Sequence, residues 1–262
     1  SYVLLENSSS AAQAFEKLIR EFPQSSLARK AGIQLGLLYY NDNQPEKALA
    51  AYKQVISNYP GSEEAKIALQ DLKSVYIDLN DINAYASYVN SIGGNIRLEV
   101  GEQDSLTYIA AEKLFMRGDN DGARRSLINY LQTFPEGAFS SNANFYLGSI
   151  AFAKKEFDEA IQRFKSVIAS GDTKFLEESV ARTAEIEYLS KDYPAALESF
   201  KRLQIVAENP ENRQAARLGI MRCALQTGQQ KDALLAADEL LKEPKLSPCL
   251  LYTSPSPRDG LL

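Results

Sequence analysis

The sequence predicts an all-α solenoid of antiparallel helix pairs, and three regularities predict it. Small residues recur at Ala11, Ala48, Ala84, Ala123, Ala160, Ala196 and Ala233, with gaps of 37, 36, 39, 37, 36 and 37 residues. Four residues after each comes a bulky group in all but the last copy: Phe15, Tyr52, Tyr88, Leu127, Phe164 and Phe200, then Ala237. Twelve residues before, a small residue stands at Gly36, Ala111, Gly148 and Ala184, whereas Leu72 and Met221 depart from the rule. Such self-similarity marks one supersecondary unit copied along the chain. Each copy then buries its apolar face against its neighbours, so 262 residues need no single globular centre.

The elements follow in order. Ser8, Ser9 and Ser10 read as a polar turn before the helix of Ala11 and Phe15, which ends near Pro23. From Ser26 to Pro60 lies the clearest copy. Gly32, Leu35, Gly36, Tyr39 and Tyr40 have the three-and-four spacing of a first helix. Asn41, Asp42 and Asn43 break it, because their side chains compete for the backbone. Pro45 suits the first turn of a second helix, whose buried stripe is Ala48, Tyr52, Val55 and Ile56. The copy of Leu72, Ala84 and Tyr88 lacks the proline.

After it the rhythm lengthens over residues 93–105, where Gly93-Gly94 ends a helix and Ile96-Arg-Leu-Glu-Val100 alternates as an extended segment does. We expect an inter-block loop here, with Asp104-Ser105 capping the helix that follows. It divides a block over 1–92, of a half repeat and two whole ones, from a block of four repeats over 106–246. Gly118-Asp-Asn-Asp-Gly122 is too short for a calcium loop and reads as an inter-helix turn. The pattern returns as Leu147, Gly148, Ala160, Phe164 and Val167, then as Ala184, Tyr188, Pro194, Ala196, Phe200 and Leu203, then weakly as Met221, Gly228, Ala233 and Leu240. One half repeat and six whole ones make about thirteen helices.

Both ends look open. Tyr2 and Val3 sit where Tyr39 and Tyr40 sit before Ala48, so the chain is expected to start in the last turn of a helix that began earlier. Residues 247–262 lose the helical period and are expected to be a disordered, non-native tail. From Cys249 to Leu262 they resemble the translated read-through of a sequencing adaptor. The object is then an internal fragment, and targeting signals or further domains would lie outside it.

Composition narrows the function. Twenty-nine basic against 34 acidic residues give a net charge of −5 without long runs, which argues against nucleic acid and anionic membrane surfaces as partners. No stretch is long and apolar enough to span a bilayer. The chain has no histidine, so it lacks the commonest general base and metal ligand. Two cysteines are too few for a disulfide framework or a cysteine zinc site, and Cys223 falls on a buried stripe. No cofactor, metal site or catalytic residue is expected.

Leu35-Gly36, Tyr39, Ala48, Tyr52 and Pro60 resemble the signature of the tetratricopeptide repeat family, without the tryptophan that family often carries. Tyr59-Pro-Gly-Ser62 and Phe22-Pro-Gln-Ser25 look like its bacterial, envelope-associated branch. The resemblance spans nearly everything from Tyr2 to Pro244. It implies a right-handed superhelix whose first helices line a concave groove, a non-enzymatic scaffold for protein or peptide partners, and an envelope setting. Chaperone adaptors of the family hold a terminal carboxylate with lysines and asparagines; the matching places here carry Ile33, Leu37, Phe145 and Ser149, so that clamp is missing. The alternatives are the helical portion of a larger envelope enzyme and a self-associating array.

Candidate groove residues follow from register. Eight residues before the alanines stand Tyr40, Tyr76, Phe115, Phe152 and Tyr188, with Leu225 ending the series. Repeated rings can grip apolar side chains at low entropic cost, or pack successive helices. Polar residues near the same face are Lys66, Lys73, Glu112, Glu178, Glu185 and Arg222, whose changing sign could orient a charged peptide.

Overall fold

The structure is a computed structural model that describes residues 8–93, 97–171 and 174–242. Among the described residues are thirteen α-helices and no strand. Two compact units divide the chain, Ser1–Gly137 and Ala138–Leu262. The first holds α1 (Ser8–Glu21), α2 (Ser26–Asn41), α3 (Pro45–Asn58), α4 (Glu63–Asp78), α5 (Ile82–Ile92), α6 (Val100–Met116) and α7 (Asn120–Thr133). The second holds α8 (Ser140–Ala153), α9 (Phe157–Ala169), α10 (Leu176–Leu189), α11 (Tyr193–Val206), α12 (Pro210–Gln226) and α13 (Gln230–Leu241). In each unit, successive helices form hairpins that stack on their neighbours, the solenoid predicted from the period. Tyr2, Val3 and the tail from residue 247 lie outside the described residues.

Every hairpin closes with the same turn. A residue with positive φ stands at Asn43, Asn80, Gly118, Lys155, Lys191 and Gly228. The next N–H bonds back five residues: Gln44 to Tyr39, Asp81 to Tyr76, Asp119 to Leu114, Glu156 to Ala151, Asp192 to Glu187 and Gln229 to Ala224, all at 2.8–3.0 Å. This is the Schellman ending of a helix, which satisfies orphan carbonyls and reverses the chain. Three of the turns then cap the second helix: Asp81, Asp119 and Asp192 accept from the N–H groups of Ala84, Gly122 and Ala195.

The turn also corrects one register. It lies five residues before Ala48, Ala123, Ala160, Ala196 and Ala233, but five before Tyr85, not Ala84. Tyr85 is buried and Ala84 only half-buried. The third copy therefore carries a phenol where the other whole copies carry a methyl group, and the gaps around it become 37 and 38. Residue type points to Ala84, whereas packing follows position relative to the turn. A ring at the tightest place holds α5 off α4, and few of its Cα atoms come within 8 Å of that helix, unlike the other whole hairpins.

Elsewhere the close approach is explicit. A Cβ at Gly36 would stand 2.5 Å from the Tyr52 ring, and one at Gly148 would stand 2.8 Å from Phe164. Glycine at these places lets the aromatic of the second helix lie flat on the first helix's backbone. Ala48, Ala123, Ala160 and Ala196 are fully buried beside them.

Two local expectations differ from the structure. Ser8–Ser10 form the first turn of α1, not a turn before it. α6 begins at Val100, with Glu99 at its N-cap, so Asp104 lies inside the helix and not at its cap. Asp104 is buried and accepts from the Tyr130 hydroxyl at 2.5 Å, a tertiary bond that outweighs its preference for a helix end. Leu106 and Ala110 join Tyr76, Tyr85 and Val89 in one core cluster.

Candidate functional site

The five rings expected to line a groove fall at the C-terminal ends of first helices, just before the Schellman turns. Tyr40 ends α2, Phe115 α6, Phe152 α8 and Tyr188 α10, and all are half-buried. Tyr76 does not belong to this series. Nine residues before Tyr85, it shares the place of Tyr39, and Ile77 takes the place of Tyr40. Tyr76 is accordingly buried, its ring 5.9 Å from that of Tyr85. Phe152 meets Phe157 at 6.1 Å, and Tyr188 meets Tyr193 at 5.7 Å and Phe200 at 6.4 Å. Phe152 and Tyr188 thus pack within the hairpins they belong to.

Cations stand over several of these rings and their neighbours. Lys53 stands over Tyr76 and Tyr88, and Arg182 lies 4.9 Å from the Phe152 centroid. Arg182 is itself held by Glu178 at 2.8 Å and Glu185 at 2.9 Å, whose charges raise its pKa against the opposing effect of desolvation. The other polar candidates are also engaged. Lys66 pairs with Glu63 at 2.6 Å, Lys73 with Glu102 at 3.3 Å, and Glu112 accepts from Tyr108 at 2.6 Å. Arg222 is half-buried on α12, next to the buried Cys223, whose thiol is pushed up to about 11 by burial.

One cluster joins three copies in the first unit. The Tyr40 hydroxyl donates to Asp78, which also receives Lys113 and, at 2.8 Å, Arg117. Burial alone would raise the Asp78 carboxyl. Hydrogen bonds from Lys113 and Tyr40 and the charges of Lys113 and Arg117 outweigh it and hold the pKa below the usual carboxylate range. Tyr40, Asp78 and Arg117 line a cleft with Asn43, Pro45 and Leu79. Sequence reading singled out Tyr40 but not its partners. Tyr40, Asp78 and Arg117 stand three, two and one residues before the turns at Asn43, Asn80 and Gly118, so no single repeat place marks them in the sequence.

Among the described residues no group of three His, Cys, Asp or Glu side chains could hold a metal, and no helix is long and apolar enough to cross a membrane. Charged and aromatic surfaces of this kind can bind polypeptide side chains without chemistry.

Two models of the tetratricopeptide repeat match the sequence, one over residues 1–25 and 31–62 and the other over 110–173. No curated protein matches it. Among solved structures, a tetratricopeptide repeat protein from Parabacteroides merdae is 14% identical, with a TM-score of 0.34 over 95% of this chain and 92% of that one. The C-terminal part of a repeat-containing protein from Cytophaga hutchinsonii is 12% identical, with a TM-score of 0.49 over 95% of each chain. Pseudomonas aeruginosa pilF is 17% identical, with a TM-score of 0.41 over 81% of this chain and 90% of that one.

Proposed function

We propose that this chain, which belongs to the tetratricopeptide repeat family, is a non-enzymatic scaffold whose first helices form a groove for peptide or protein partners. The observation that carries the reading is a division of labour. What repeats in this chain is buried, such as Ala123, Ala160 and Leu127, whereas the exposed positions change sign and type from copy to copy. A solenoid built so spends its regularity on stacking and leaves its outer faces to recognition. The bacterial envelope setting is part of the proposal and rests on the Phe22–Ser25 and Tyr59–Ser62 phrases.

A second reading, self-association, is favoured by the far side of α13. Leu234 is 68% exposed, whereas Leu197, one residue after the corresponding alanine of the preceding hairpin, is 1% exposed under α12. Leu241 is exposed on the same helix.

One experiment separates the readings. A photo-crosslinking amino acid is placed singly at Leu37 on α2, Ile109 on α6 and Leu234 on α13, all exposed. The groove reading expects adducts with a different protein from the first two positions. It fails if they yield none while a surface control on α11, Ile205, does. A homodimer trapped from Leu234 supports the array.

A further inference from the structure

Successive hairpins leave a groove between neighbouring second helices, floored by the first helix between them. Between α1 and α3 this groove is all but closed, a cavity of about 10 Å3 with Ile19, Ala28, Gly32 and Ala51 in its lining beside Gln54 and Asn58. Between α5 and α7 it is an open cleft of about 320 Å3. The lining positions correspond. Gln103 and Thr107 of α6 stand where α2 has Ala28 and Gly32, and Ser126 and Asn129 of α7 stand where α3 has Ala51 and Gln54. Gly93 falls in register with Ile19. Tyr85, which holds α5 away from α4, belongs to the same copy.

Part of the polar lining of this cleft is engaged and part is not. Asn80 donates to Ser126 at 2.6 Å, and Asp81 caps α5. The side-chain amides of Asn83, Gln103 and Asn129 make no hydrogen bond among the described residues, and Arg125 makes no ion pair. A primary amide offers one carbonyl and one NH2 group side by side, which is the complement of a peptide bond. A free guanidinium is the complement of a carboxylate. No aromatic ring lines the cleft to stack on a sugar.

We infer that the cleft between α5, α6 and α7 is a second peptide site, away from the first-helix groove, for an extended segment bearing an Asp or Glu side chain. Asn83, Gln103 and Asn129 would read its backbone, and Arg125 its carboxylate. The inference rests on the peptide-binding reading above but uses none of the same residues.

The test titrates the 15N-labelled full chain with the blocked peptide acetyl-Ala-Gly-Glu-Gly-Ala-amide, following side-chain amide and arginine Nε resonances. The expected result is a saturating shift at Asn83, Gln103, Asn129 and Arg125, weakened about fivefold for the Gln version of the peptide and for Arg125→Ala. Arg125 is exposed, so that variant keeps its fold. Gln103→Ala with Thr107→Val, which restores the apolar lining, is expected to abolish the shift while the far-ultraviolet spectrum is unchanged. No shift, equal shifts from the Gln peptide, or a stronger response to glucuronate would overturn the proposal. Failure here with first-helix crosslinks intact removes this site alone; loss of those crosslinks with the shifts retained removes the groove instead.

Discussion

Phe164→Ala is expected to destabilise the second unit by about 3–5 kcal/mol, the usual cost of deleting a fully buried ring. Phe164 is 0% exposed, lies 6.1 Å from Phe145 and covers the backbone of α8 at Gly148. Gly148→Ala is the converse experiment. Its methyl group would meet the Phe164 ring at 2.8 Å, and overpacking of that kind costs about 1–3 kcal/mol. Combined with Phe164→Ala, the same methyl group enters space the ring has left, so it should cost far less. Urea unfolding of the four proteins gives the coupling energy. Strict additivity would mean that the glycine is not there for the ring.

Removing both cations from Asp78, as Lys113→Met with Arg117→Met, should cost about 1–3 kcal/mol. That lies below the about 3–5 of a fully buried pair because both cations are half-exposed. Asp78 keeps only the Tyr40 hydroxyl in the double variant, and its side chain is 12% exposed. The native protein also predicts a pH dependence. A carboxyl whose folded pKa is depressed contributes stability above its unfolded pKa and loses it as pH falls through the folded value. The contribution should be complete above about pH 5 and fade below about 3.9, the ordinary aspartate value. Asp78→Asn should flatten that part of the profile in thermal melts. An unchanged acid limb would show that the cluster does not contribute.

The stacked hairpins were legible because burial enforces them at every copy: the alanines, the bulky residue four later and the breakers between helices all report one geometry. The third copy was misaligned by one residue because residue type and structural place disagree there. Ala84 looks like its counterparts, but the turn at Asn80 places Tyr85 in the tight position. The aromatic series inherited that shift through Tyr76. The turns themselves were half-visible. Gly118, Gly228 and Asn43 advertise positive φ, whereas Lys155 and Lys191 adopt it against their intrinsic preference, held by the helices on either side. The start of α6 was obscured because a buried Asp104 reads, in isolation, as a cap. The Asp78 cluster and the α5–α7 cleft join residues from three successive copies or elements, and pairing across copies leaves no local mark.

A phenol wedged at the base of one hairpin has a mechanical meaning. Where the other whole hairpins bring their backbones close, α4 and α5 meet through side chains, Leu72, Val75 and Tyr76 sharing one core with Ile82, Tyr85 and Val89. Tension applied to the first unit would therefore concentrate at that seam, and this copy would yield before its neighbours did. One copy in a row of similar hairpins thus depends on its side chains where the others also have close backbones.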